Sequence, residues 1–409
     1  MPNLSDKLKS LGVKVGAQDI APPRQRYPYT VEQVIPGRLH PTPAGETYVV
    51  DEYYPVTYQY GNTGLYGMSP LNILAEWAGE RRISQCGTEA FAYLDIETTG
   101  LQGGTGTYAF LIGAGRFENN DFHLMQFFMR DPSEEPAQLL ALEEFLAPCD
   151  TLVTYNGKAF DVPILVTRYI TQGWKAPLIS LSQFDLLHLV RRLWRDRMPS
   201  RTLGNVETYI LGARRTEEDV PGWMIPQLYF DFLRSGDARP LKRVFYHNAM
   251  DVLAMAALLN HISHLFEDPV HNPYTEGVDL VGMGRLFEDL GKTEEAILLY
   301  RRSLEHELPG ELLWDTVQRL SFIYKRNSNY GSAVSLWQQA AAQKQLYAFE
   351  ELAKYYEHHA RNVEEALSWT MAALQIIQSP GSLPSLRLEW QPEMEHRLER
   401  LRRKTTASG

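Results

Sequence analysis

Phe91-Ala-Tyr-Leu-Asp95-Ile-Glu97-Thr98-Thr99-Gly100 is the stretch on which the reading of this chain turns. It has the character of a buried strand that stops at a glycine turn, yet it carries two carboxylates. Side chains alternate faces along a strand, so Asp95 and Glu97 point the same way. Two anions side by side on an inner face repel, and the pKa of each rises unless positive charge lies between them. A hard divalent cation with oxygen ligands is the usual remedy. The same acids could instead face solvent at a strand end, so the choice depends on whether further acids reach the same point.

Working downstream, Thr105 to Gly115 and Phe122 to Met129 read as two more strands of a meander. Helical spacing predicts a helix over Glu134 to Leu146, followed by a short buried strand at Thr151 to Tyr155. Asp161-Val-Pro163 opens the next helix, with Asp161 suited to an N-cap. Ile179 to Phe184 reads as a strand and Asp185 as the cap of a helix running towards Arg195, or as an acid standing behind a site. Leu203 to Leu211 and Leu241 to Phe266 are helical. Asp251 lies in the last of these and precedes Val-Leu-Ala-Met-Ala-Ala-Leu-Leu, which makes it an acid on a mostly buried helix. Burying an unpaired charge is costly. A meander followed by strands alternating with helices is a mixed α/β layer.

The flanks differ in kind. Residues 1–85 are rich in proline and tyrosine (Pro22-Pro23, Tyr27-Pro28-Tyr29, Tyr53-Tyr54-Pro55), with β-like pieces such as Thr47-Tyr-Val-Val50. They read as an irregular lead-in packed on residues 86–266, its aromatics used for packing rather than for stacking on bases. Residues 267–278 form a linker, beyond which strands disappear. Ala296 and Tyr300, Ala333 and Trp337, and Ala366 and Trp369 recur at a period that resembles tetratricopeptide helix pairs over 279–378. Such units stack because none buries its apolar face alone. The arginine-rich tail, 379–409, reads as a solvated helix face.

A length of 409 residues implies two domains, and 44% hydrophobic with 22% charged residues is a globular composition. The chain shows no bilayer-length apolar run and no signal pattern, and Cys86 and Cys149 have no metal-ligand spacing. The simple reading is cytoplasmic. A net charge of −10 excludes a protein that coats nucleic acid over its whole surface, but not one that grips phosphates in a local basic groove. Arg191, Arg192, Arg195, Arg197 and Arg201 surround Trp194. That is either a phosphate-binding patch with an aromatic platform for a single-stranded end, or a solvated charged helix face. Lys158, in a glycine turn, is placed to reach a phosphate.

Asp95-Ile-Glu-Thr-Thr-Gly, Tyr155-Asn-Gly-Lys-Ala-Phe-Asp161 and His247-Asn-Ala-Met-Asp251 resemble the three exonuclease motifs of the DEDD group of ribonuclease H-like nucleases. The surrounding text, including Leu111-Ile-Gly, Gln126-Phe-Phe, Leu203 to Arg214 and Val220-Pro-Gly, resembles the YprB-like family of predicted exonucleases over about residues 85–266. The resemblance implies a ribonuclease H-like α/β domain followed by an all-α repeat domain. It also implies phosphodiester hydrolysis with two Mg²⁺ or Mn²⁺ ions, roughly 4 Å apart. Asp95, Glu97, Asp161 and Asp251 would be the metal ligands. Thr98 and Asn156, with Lys158, Arg191, Arg192, Trp194 and Arg195, would meet the substrate.

The family pattern has a tyrosine four residues before the last aspartate or a histidine five before it. Here the types are exchanged, His247 standing four before Asp251 and Tyr246 five before. An i−4 residue shares the helix face of Asp251, so His247 is the favoured general base, with Asn248 a candidate to orient it. The expected activity is a 3′–5′ exonuclease on DNA or RNA ends, with the helical repeats docking a protein partner or guiding substrate. The alternatives are an inactive ribonuclease H-like platform and a structure-selective endonuclease.

Overall fold

The computed structural model describes residues 29–67, 70–100, 105–272 and 275–408. The run from Pro22-Pro23 to Pro28 lies outside them. Among the described residues the chain forms two compact units, one holding residues up to 187 with 202–263, the other 188–201 with 264 onward. No described helix is long and apolar enough to cross a membrane.

The first unit is built on a seven-stranded sheet. Its strands are β1 (Arg38–Thr42), β2 (Gly45–Pro55), β5 (Phe91–Thr98), β6 (Ala109–Glu118), β7 (Asp121–Phe128), β8 (Thr151–Thr154) and β9 (Ser182–Asp185), in the order β1-β2-β7-β6-β5-β8-β9. The short strands β3 (Gln59–Tyr60) and β4 (Thr63–Gly64) make a separate hairpin. Pairing is antiparallel from β1 through to β5, whereas β8 and β9 run parallel to β5. The lead-in is therefore not irregular throughout, because β2 continues the meander in register with β7, from Tyr48 against Phe128 to Pro55 against Asp121.

Strand alternation sorts the core onto two faces. Ala92, Leu94 and Ile96 of β5 pack with Leu139 and Leu142 of α1 (Glu135–Leu146) and with Ile164 and Leu165 of α2 (Asp161–Thr171). On the other face Tyr48, Phe110 and Phe128 pack with Tyr229 of α3 (Ile225–Ser235) and with Leu241 and Val244 of α4 (Leu241–Leu265). Glycines let α4 lie close to the sheet. A Cβ at Gly113 would stand 2.2 Å from Asn248 Oδ1, and one at Gly115 would stand 2.8 Å from Val252.

The second unit is all helical among its described residues. Helix α5 (Gly277–Asp289) pairs with α6 (Thr293–Ser303), α7 (Gly310–Arg326) with α8 (Tyr330–Ala342), and α9 (Leu346–His358) with α10 (Val363–Ile377), before α11 (Pro384–Ser408). Ala296, Ala333 and Ala366 each take the fourth position of a second helix and are fully buried. Tyr300 and Trp337, one turn on, are buried with them. The tail is not a solvated face, since Met394, Arg397 and Leu401 of α11 are buried.

Candidate functional site

Strand β5 carries Asp95 and Glu97 on the face covered by α4. Both carboxyls are held well above the usual carboxylate range. For Asp95 the cause is burial first, then repulsion from Asp251, Glu97 and Asp161, partly offset by Asn248. For Glu97 it is burial, then Asp251 and Asp161, with Arg215 opposing. Asn248 fixes Asp95 in place: its Nδ2 donates to Asp95 Oδ2 at 2.9 Å and to Asp95 O at 3.2 Å. The amide is oriented in turn by Gln126 Nε2, which donates to Asn248 Oδ1 at 2.8 Å and to Phe245 O at 2.8 Å. Asn248 is fully buried and bonded to Asp95, not to His247, which corrects the expectation that it orients the histidine.

Asp161 is the first residue of α2 rather than its cap. It is buried, and its carboxyl is pushed up to about 7 by burial and by repulsion from Asp185 and Asp251, against hydrogen bonds from the backbone of Asp161 and Ile96. The turn before it is shaped by Asp185, which accepts from the N–H of Asn156 (2.8 Å), Lys158 (3.2 Å) and Leu187 (3.0 Å). Asp185 thus caps its helix and braces the turn with the same carboxylate. Asn156 sits in the left-handed region at φ 65°, and a Cβ at Gly157 would stand 2.7 Å from Asp161 Oδ2.

Asp251 approaches from α4 with a partner that sequence reading overlooked. Arg215 donates to Asp251 Oδ1, to both oxygens of Glu207 (Nε at 3.0 Å to each), and lies 3.2 Å from His247 Nδ1. Glu207 opens a π-helical turn (Glu207–Leu211), is buried, and accepts from the Tyr60 hydroxyl. Burial pushes the Glu207 carboxyl up despite Arg215 and Tyr60. His247 Nδ1 lies 2.7 Å from Asp219 Oδ1, and its Nε2 lies 3.6 Å from Asp251 Oδ2. Nδ1 therefore faces both a donor, Arg215, and an acceptor, Asp219, while Nε2 faces the Asp251 carboxylate. The Tyr246 hydroxyl instead accepts from the Thr216 N–H at 3.1 Å.

A family model described as the RNase_H superfamily matches residues 92–263, the stretch that supplies all four acids. The uncharacterized protein YprB of Bacillus subtilis (strain 168) is 34% identical over 365 residues, covering 86% of this chain and 84% of that protein. The chain belongs to the YprB family. Its first unit is a ribonuclease H-like domain with a mixed sheet, followed by a helical domain. A family B DNA polymerase structure from the hyperthermophilic archaeon Pyrobaculum calidifontis overlaps 54% of this chain and 30% of its own, at 16% identity and a TM-score of 0.29.

The other sequence-predicted residues are distributed unevenly in this YprB-family chain. Asn156 and Lys158 are exposed in the braced turn, while the Thr98 hydroxyl donates to Gly100 O at 2.8 Å and is buried. Arg191, Arg192, Trp194 and Arg195 belong to the second unit. Trp194 is fully buried, so it offers no face for a base, and a stacking platform there is ruled out. Arg192 pairs with Asp289, Arg195 with Asp196, and Arg197 with Glu276 and Asp279. Among the described residues no group of three or more His, Cys, Asp or Glu side chains is arranged so that it could hold a metal ion. The donor set has the hard oxygens a divalent cation takes, but Asp251 is engaged by Arg215.

Proposed function

We propose that the first unit is a divalent-metal-dependent nuclease, a 3′–5′ exonuclease acting on DNA or RNA ends in the cytoplasm. The observation that carries this reading is the charge balance around β5. Asp95, Glu97, Asp161 and Asp251 come from three elements; burial, with their mutual repulsion added to it, raises three of their pKa values, and one guanidinium engages Asp251 alone. A folded protein keeps such a cluster at a cost in stability, and a cation offsets that cost. Those four acids would hold the ions. When bound, divalent ions would lower the pKa of an attacking water and offset charge on the phosphate.

The chain's own groups supply the rest. The Gln126–Asn248 chain holds Asp95 in one orientation, and Asp185 keeps Asp161 at the mouth of its helix. His247, on the helix face of Asp251 with Nε2 turned towards that carboxylate and Asp219 at Nδ1, is assigned as the general base, whereas the Tyr246 hydroxyl is taken up by the Thr216 N–H. Lys158 and Asn156, exposed beside Asp161, would meet substrate phosphates. The helix pairs of the second unit are read as tetratricopeptide-like and as the surface that docks a protein partner, on the strength of the recurring buried alanines. Digestion of end-labelled single- and double-stranded DNA and RNA with Mg²⁺ or Mn²⁺ tests the reading. Shortening from the 3′ end is expected, internal cuts would favour an endonuclease, and no cleavage of any substrate would overturn it.

A further inference from the structure

Arg215 is held very differently on its two sides. Towards the interior it forks onto Glu207, with Nε 3.0 Å from each oxygen and Nη2 at 2.9 Å. The Glu207 side chain is only 2% exposed and is itself held by the Tyr60 hydroxyl. Towards the acid cluster the same Nη2 reaches Asp251, whose side chain is 16% exposed. The inner contact is buried, bidentate and braced, whereas the outer side has one contact to Asp251 and a looser one to Asp219 at 3.7 Å, both bordering solvent. A bidentate fork gives geometric fixation that a single contact lacks. If the two compete, the outer contact is the one that breaks.

We propose that Arg215 is an internal cation latch: without metal its guanidinium occupies Asp251, and a divalent ion must displace it before the four carboxylates form one ligand set. The inference rests on the metal-dependent reading above and adds to it a residue that neither sequence motifs nor a ligand list would single out. It accounts for two geometric observations together. The acid on α4 is engaged by a guanidinium, and no three of the four acids are arranged to hold an ion. The single charge of the guanidinium is shared between Glu207 and Asp251, so the repulsion left among the acids keeps the set from closing. A divalent ion can bind several acids at once, so the exchange favours it at sufficient concentration. Arg215 then stays in place on Glu207 and acts as a positioning residue.

The test is Mn²⁺ binding to the full chain, read by the paramagnetic resonance of free Mn²⁺ and by titration calorimetry, with no substrate present. Arg215→Gln removes the competitor and is expected to bind Mn²⁺ about tenfold more tightly than wild type. The double variant Glu207→Gln/Arg215→Gln removes both charges of the buried pair and guards against a single variant that fails to fold. It should show the same gain. Wild type without detectable binding beside a variant that binds would also support the latch. Equal or weaker binding in both variants would overturn it while leaving the metal-dependent reading intact. No binding in any protein would overturn both and leave the inactive platform.

Discussion

Two acid sites in this chain, one fully buried and one half-buried, have opposite charge balances. In the helical unit, the Glu357 side chain is fully buried and surrounded by cations: Arg400 at 2.6 Å, Lys404 at 2.7 Å and Arg397 at 3.2 Å. Burial alone would raise its pKa, but Arg400 and Lys404 overrule it and hold the carboxyl down at about 2. Around β5 the ratio is reversed, and Asp95, Glu97 and Asp161 are all raised. The first arrangement is complete and serves to pin α11 against α9. The second is incomplete, and an incomplete, largely enclosed charge set is the mark of a place where something positive binds or chemistry is done.

That contrast can be broken most directly by removing its acids. Asp95→Ala and Asp251→Asn should each lower Mn²⁺-dependent degradation of a labelled oligonucleotide by about a thousandfold or more while circular dichroism stays unchanged. Full activity in both would end the nuclease assignment. His247→Gln should cost about a hundredfold, as loss of a general base does, and Tyr246→Phe much less. The reverse order would move the base to Tyr246.

On the helical side, Glu357→Gln removes the nearest acid of buried Arg397, leaving it only the looser pairs with Glu350 at 3.7 Å and Glu393 at 3.8 Å, and should destabilise that unit by about 3 kcal/mol, read by denaturant titration at pH 7. An unchanged midpoint would show that the network is worth nothing net.

The smallest effect sharpens the comparison through pH. Asp161 sits at about 7 in the folded chain against an ordinary 3.8. Only the native state keeps that proton between those values, so it binds more protons than the unfolded chain does. The contribution is therefore present below about pH 4 and lost as pH rises towards 7. Glu357 is displaced the other way, from 4.5 to about 2, so its contribution is present above pH 4.5 and lost as pH falls towards 2. In EDTA, the melting temperature of wild type should fall by a few degrees between pH 5 and pH 7.5, and millimolar Mn²⁺ should reverse the fall at pH 7.5. A melting temperature that is flat with pH and indifferent to Mn²⁺ would contradict an uncompensated cluster.

Much of the fold could be read from short-range pattern. The alternation of Phe91–Thr98 placed Asp95 and Glu97 on one face, and the apolar run after Asp251 marked a buried helix, because a strand's period of two and a helix's 3.6 are properties of adjacent residues. The buried alanines of the helical unit were legible for the same reason. Less of the site was legible. Arg215 looked like its neighbour Arg214, and Glu207 like any acid in a helical stretch; Glu118-to-Phe122 turn chemistry gave no hint that β2 would extend the meander beyond β7.

What the sequence determined by itself was which side chains share a face and which family the motifs resemble. What only the tertiary structure decided was who meets across distance: Glu207 with Arg215, Arg215 with Asp251, Asn248 with Asp95 rather than with His247, and Trp194 buried rather than offered to a base. The physical reason is that periodicity is set by the local backbone, whereas the pairing of charges depends on where burial removes water. Burial is a property of the packed chain and not of any stretch within it.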